Sequence, residues 1–134
     1  MGIRTVADVV RDTFPAGTSV VGGKEGLRRP VVQAVTPRLR GGFADLRQGT
    51  LAIVSVETLH LLPAQPTVAQ TIRGLARMGV VALALFGRIE PWQQPATCWM
   101  ADKHGCALLQ LPLTKVQSSL ELTQAINSYL DSSG

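Results

Sequence analysis

The sequence predicts a small three-layer α/β domain built on a mostly parallel sheet. Three observations carry this reading. First, Leu51-Ala52-Ile53-Val54-Ser55-Val56, Val80 to Phe86 and Cys106 to Leu111 are apolar runs with no polar alternation, as expected of strands covered on both faces. Second, the stretches between these runs show helical periodicity, which gives the βαβ spacing of a parallel sheet. Third, aromatic residues make up only 4% of a chain that is 46% hydrophobic. The core must therefore be built from Val, Leu, Ile and Ala, the residues of doubly covered strands.

The elements follow in order. Thr5 is placed to cap a helix over about 5–14, with Asp8 three positions on reaching back to the free amides. Val6, Val9, Val10 and Phe14 share one face, and Pro15-Ala16-Gly17 ends the helix. Thr18 to Val21 reads as a short strand, followed by a glycine turn, Gly22-Gly23-Lys24-Glu25-Gly26. Pro30 to Val35 reads as a second short strand, expected to pair with the first as an added hairpin or edge. Phe43 to Arg47 can make one helical turn before the central strand at about 51–56, and Glu57 to Leu62 another after it. A helix over about 67–78 places Val68, Ile72 and Leu75 on one stripe, and Gly79 stops it. The second central strand, about 80–86, leads to a helix over about 92–104 closed by Gly105. The third strand, about 106–111, ends at Pro112. A last helix, about 117–130, carries Leu122, Ile126 and Tyr129 on one stripe. One domain over 1–130 is expected, with a polar tail at 131–134.

A length of 134 residues gives one domain with a real core. No apolar run approaches the ~20 residues needed to cross a bilayer, and the N-terminus lacks the apolar stretch of a secretory signal. The expected compartment is the cytoplasm, with no membrane partner. There Cys98 and Cys106 are expected to be reduced core residues. The net charge of +4 is concentrated in Arg28, Arg29, Arg38, Arg40 and Arg47. Such a patch can attract an anion or nucleic acid. However, only Phe43 interleaves with the arginines and no recognition helix follows, so a solvated basic edge is the simpler reading. The charged fraction of only 16% points to surface covered by a partner, and a homodimer is expected.

The chemistry-bearing patterns exclude more than they support. Gly22-Gly23-Lys24 is not a phosphate loop. Thr18 stands where the first glycine belongs, and Glu25 replaces the magnesium-binding hydroxyl. Cys98, His104 and Cys106 match no zinc spacing, and no metal or other cofactor is expected. Ser55, Glu57 and His60 could form a nucleophile–base group, a small hydrolase, but no nucleophile elbow accompanies them. No catalytic residue is assigned. In an open parallel sheet, ligands gather beyond the carboxyl ends of the strands. Those ends offer Ser55, Glu57 and Thr58 after the first central strand, Phe86, Gly87 and Arg88 after the second, and Thr114 after the third. These seven residues are the candidate ligand-binding set.

The span from Val6 to about Leu130 also resembles the N-terminal domain of PucR-like purine-catabolism regulators. The likeness is carried by Thr5-Val6-Ala7-Asp8-Val9-Val10, by Gly23-Lys24-Glu25-Gly26-Leu27-Arg28-Arg29-Pro30-Val31, and by Leu46-Arg47-Gln48-Gly49-Thr50-Leu51. It continues through Leu75-Ala76-Arg77-Met78-Gly79-Val80-Val81-Ala82-Leu83 and the segment Ala101 to Pro112. The layout is more distantly similar to the N-terminal domain of HPr kinase and to DRTGG regulatory domains, which share the Glu-Gly-Leu turn. Gln48 and Thr50 depart from the PucR-like pattern, which has a glycine and an acidic residue there. Val54-Ser55-Val56 departs where Thr-Thr-Gly is usual, and Ala107 where proline is. The resemblance implies a regulatory domain, ligand-sensing or oligomerising, of a transcriptional regulator and not an enzyme. It implies a purine or related metabolite as effector, and DNA contact only through a separate helix-turn-helix domain that is not found in this sequence. The HPr-kinase and DRTGG likeness implies, as an alternative, an accessory anion- or protein-binding domain.

Overall fold

A computed structural model describes residues 3–36, 46–112 and 118–132. The described elements are α1 (Val6–Thr13), β1 (Ser19–Gly22), a 3-10 turn (Lys24–Arg28), β2 (Gln33–Val35), β3 (Thr50–Ser55), α2 (Val56–Leu61), α3 (Val68–Arg77), β4 (Val80–Phe86), a second 3-10 turn (Pro91–Gln93), α4 (Gln94–His104), β5 (Ala107–Gln110) and α5 (Ser119–Ser132).

Local signals explain most of the boundaries. The Thr5 hydroxyl accepts the Asp8 N–H at 3.3 Å, and the Asp8 carboxylate accepts the Thr5 N–H at 3.0 Å. Thr67 and Gln70 repeat this reciprocal cap at the start of α3, at 3.1 and 2.9 Å. Each box satisfies two backbone donors that a helix leaves free at its start. Gly79 (φ +96) and Gly105 (φ +59) take up the left-handed turns that close α3 and α4.

The five strands lie in the order β1-β5-β4-β3-β2. β2, β3, β4 and β5 are mutually parallel, with Ala52 beside Leu83 and Leu83 beside Leu108. β1 runs antiparallel to β5, Val20 opposite Leu109. Alternate strand residues feed two cores. Leu51, Ile53, Ala82, Ala84 and Leu109 pack against α1 (Val6, Val9) and α5 (Leu122, Ile126). Val54, Leu83, Leu85 and Leu108 pack against α2 (Leu59), α3 (Ile72, Leu75) and α4 (Ala101). This is the three-layer α/β arrangement expected, and β3, β4 and β5 are buried on both faces because helices cover both.

One expectation fails. β1 and β2 do not form a hairpin; they are the two opposite edges of the sheet. The reason lies in the glycine segment between them. Gly23 adopts φ +64 and opens the 3-10 turn Lys24–Arg28 instead of reversing the chain. That turn crosses the end of the sheet against β5 and β4. A Cβ placed on Gly26 would lie 2.6 Å from both Ala107 N and Gly105 O, so the backbones meet closely there and only glycine fits. The chain then reaches β2 at the far edge, tied by Val6 N–H to Arg29 O (3.0 Å) and Val31 N–H to Arg4 O (2.8 Å).

Smaller shifts concern boundaries. The third central strand is Ala107–Gln110, the helix expected from Trp92 begins with a 3-10 turn, and the last helix continues through Asp131 and Ser132. Phe43 lies outside the described residues, while Leu46 and Arg47 are not helical.

Candidate functional site

β3 and β4 end together, with Ser55 beside Phe86 in the register. β3 runs straight into α2, whose N-cap is Ser55. β4 leaves through Gly87 (φ +96), where a Cβ would meet Val56 Cβ at 3.2 Å, and continues into the second 3-10 turn. Both chains depart to the face covered by α3 and α4. The chain leaving β5 supplies α5 on the other face. The connections therefore diverge between β4 and β5, the place where an open α/β sheet leaves a crevice. Here the chain's own Gln110 occupies that crevice. Its Nε2 donates to Gly87 O at 2.6 Å and Leu111 O at 3.0 Å, and lies 3.3 Å from Leu85 O.

A cleft does open beyond β3 and β4, on the α3–α4 face. A cleft of about 170 Å³ is lined by Val56, Leu59, His60, Gln65, Pro66, Thr67, Val68, Ile89, Glu90 and Gln93. Its apolar part comes from the buried Val56, Leu59, Val68 and Ile89. Its polar part comes from α2, from the loop into α3 and from the second 3-10 turn. Gln65 is the one non-glycine residue with positive φ (+42) among the described residues. Its N–H is held by Leu62 O at 2.9 Å, which fixes the tight turn that carries it. A side chain held in that region costs about 1–2 kcal/mol, and backbone strain of this kind concentrates at ligand clamps and switch regions. No hydrogen bond among the described residues engages the side chains of His60, Gln65, Glu90 or Gln93, so donors and acceptors of both kinds face the cleft unspent.

Of the seven residues expected from the strand-end rule, the six that are described do not line this cleft. Ser55 and Phe86 adjoin each other on the α1–α5 side of the sheet. Glu57 and Thr58 sit on the exposed side of α2, and Gly87 and Arg88 are exposed on the loop leaving β4. Thr114 lies outside the described residues. Their chain neighbours Val56, His60, Ile89 and Glu90 form the walls. Val56 and His60 sit on α2, and Ile89 and Glu90 on the chain leaving β4, so the turn of that helix and the path of that loop decide which side chains line the cleft. Gln65 and Gln93 carry no local motif that marks them as lining residues. The tight Pro63-Ala64-Gln65-Pro66 loop is the nearest thing to a signal.

Other candidate chemistry is dispersed. Ser55 opens α2 and His60 lies near its end, with no hydrogen bond between them. Arg38 and Arg40 lie outside the described residues. Arg28 and Arg47 are exposed, and the Arg29 guanidinium donates to Gly105 O at 3.3 Å. Cys106 is buried, and that burial pushes its thiol up to about 12. Cys98 is half-buried and donates to Val21 O at 3.4 Å; burial raises its thiol too. Among the described residues, no three metal-ligating side chains come together, and no helix is long and apolar enough to cross a membrane.

No protein-family model matches the sequence, and no curated protein matches it significantly.

Proposed function

We propose that this chain is a ligand-sensing regulatory domain of the PucR-like type, with the cleft between α2, the loop into α3 and the second 3-10 turn as its effector site. The observation that carries the reading is the composition of that cleft. Buried aliphatic side chains form its base, and His60, Gln65, Thr67, Glu90 and Gln93 present mixed donors and acceptors around it. Sites for small organic ligands have this make-up. An enclosed apolar cavity of about 150 Å³ holds a benzene ring. An open cleft of about 170 Å³ therefore suits a compact heterocycle such as a purine or a related ureide, with part of the molecule toward solvent. The strained Gln65 supports a clamp role.

Thermal unfolding in the presence of purines, ureides and related metabolites tests the reading. A ligand at 100 times its Kd stabilises the native state by about 2.7 kcal/mol, which raises the melting midpoint. The rise should vanish in the His60→Ala/Gln93→Ala double variant. No shift with any of these compounds would remove the sensing function.

A further inference from the structure

We infer that the cleft selects uncharged heterocycles rich in N–H groups over anions of the same size, and that Glu90 sets this preference. The inference rests on the reading of the cleft as an effector site and deepens it. The chain carries 13 Lys and Arg against 9 Asp and Glu, yet no lysine or arginine lines the cleft, and Glu90 is its one carboxylate. The start of α3 reaches the same space at Thr67 and Val68. A helix start is equivalent to about half a positive unit charge, which is less than the full negative charge of an ionised carboxylate. An anion entering the cleft therefore meets a net negative field and no fixed cation to pair with.

The backbone under Glu90 is fixed from both sides. Ile89 before it is buried in the core. Pro91 after it holds the preceding residue out of the helical region, and Glu90 takes ψ 134. The Gln93 N–H donates to Glu90 O at 2.9 Å and closes the 3-10 turn. The Glu90 side chain is exposed and makes no ion pair or hydrogen bond among the described residues. An ionised carboxylate only accepts hydrogen bonds, so it rewards a ligand that turns N–H groups toward it. Such charge-assisted bonds are about twice as strong as neutral ones. The side-chain amides of Gln65 and Gln93, on the same walls, can donate to carbonyl oxygens. Buried Val56, Leu59, Val68 and Ile89 cover a flat apolar face. A lactam or cyclic urea, with N–H and C=O around one ring, meets all three demands. A phosphate or carboxylate group meets the second alone and is repelled by the first.

Calorimetric titration of the whole chain with hypoxanthine and with urate tests this, at about pH 8 where an ordinary imidazole is uncharged. The two ligands share one fused-ring shape, but hypoxanthine is neutral there and urate is a monoanion. Hypoxanthine should bind at least about tenfold more tightly. Glu90→Gln keeps the size of the side chain and removes its charge. It should weaken hypoxanthine by about tenfold and tighten urate, so that the gap closes, while the circular dichroism spectrum stays unchanged. Added salt screens an exposed charge. It should therefore strengthen urate binding to the wild type and leave urate binding to Glu90→Gln unmoved. Equal affinity for both ligands, a preference for urate, or a preference for hypoxanthine that neither Glu90→Gln nor salt alters would overturn the role of Glu90 and leave the effector site standing. Binding of neither ligand overturns the proposal too, and if the wider set of metabolites also gives no melting shift, the effector site falls with it.

Discussion

The side-chain amide of Asn127 in α5 binds both backbone groups of Ala34 in β2. Its Oδ1 accepts the Ala34 N–H at 2.9 Å and its Nδ2 donates to the Ala34 carbonyl at 2.9 Å. Among the described residues β2 is an edge strand with β3 as its one strand neighbour, and a bare edge exposes backbone groups that invite pairing with another chain. Asn127 imitates the missing strand over one residue. The same amide pins α5 to the sheet, so the body of a helix and a sheet edge are held together by one side chain.

Asn127→Ala removes both bonds and leaves the Ala34 amide and carbonyl short of partners in a residue only 2% exposed. Each unmet buried group costs about 1–3 kcal/mol. The urea midpoint should fall by the equivalent of about 2 kcal/mol with an unchanged slope. A midpoint equal to wild type would show that the edge does not need this amide.

Glycine substitutions should separate steric cost from backbone cost. Gly26→Ala drives a methyl group to 2.6 Å from the backbone of Gly105 and Ala107. Overpacking against rigid backbone costs about 1–3 kcal/mol or more. Gly105→Ala meets open space and suffers only its φ of +59, a cost of about 1 kcal/mol. Thermal unfolding should rank Gly26→Ala well below Gly105→Ala. The reverse order would mean that the turn does not press against β5.

Acid should act at the junction of α1 and α5. The Arg11 guanidinium and the Tyr129 hydroxyl, both bonded to the Asp12 carboxylate, hold its pKa down to about 2. Hydrogen bonds from the Thr5 amide and hydroxyl, with Arg11 nearby, lower that of Asp8. Both folded values lie below the ordinary aspartate value of about 3.9. The stability they confer is thus complete above about pH 4 and is lost as pH falls toward 2. In Tyr129→Phe the part of that loss due to Asp12 should shrink. Denaturation curves taken between pH 5 and 2 read this directly; identical pH profiles for both proteins would disprove the coupling.

The two cysteines should differ toward alkylating reagents. The reactive species is the thiolate, and burial pushes the Cys106 thiol up to about 12. Cys106 should stay unmodified in the native protein at pH 8 and react only on unfolding. Cys98 is half-buried and should react slowly but first. Peptide mass spectrometry after timed alkylation gives the order, and early labelling of Cys106 would mean that β5 opens readily.

Gln65→Gly should make the protein more stable, not less. Glycine reaches φ +42 without the side-chain clash, and the relief of about 1–2 kcal/mol exceeds the usual entropic cost of glycine, about 0.5–1 kcal/mol. A higher melting midpoint is expected. A lower one would mean that the Gln65 side chain itself holds the cleft together.

The sequence alone determined the elements whose signals are local. Doubly covered strands appear as unbroken apolar runs at β3, β4 and β5, and the capping boxes at Thr5 and Thr67 mark helix starts, because a few neighbouring residues contain all the chemistry involved. Only the tertiary structure decided the rest. β1 and β2 part to opposite edges because Gly23 and Gly26 let the chain press across the end of the sheet, a contact with residues 105–107 that no local pattern records. The strand ends mark the region of the cleft, but which side chains line it depends on which face each connection leaves by and on Gln110 filling the alternative crevice. The outward position of Trp92 and Trp99 was equally hidden. An apolar residue on a helix announces burial, and only the placement of α4 on the sheet shows which of its faces is already taken.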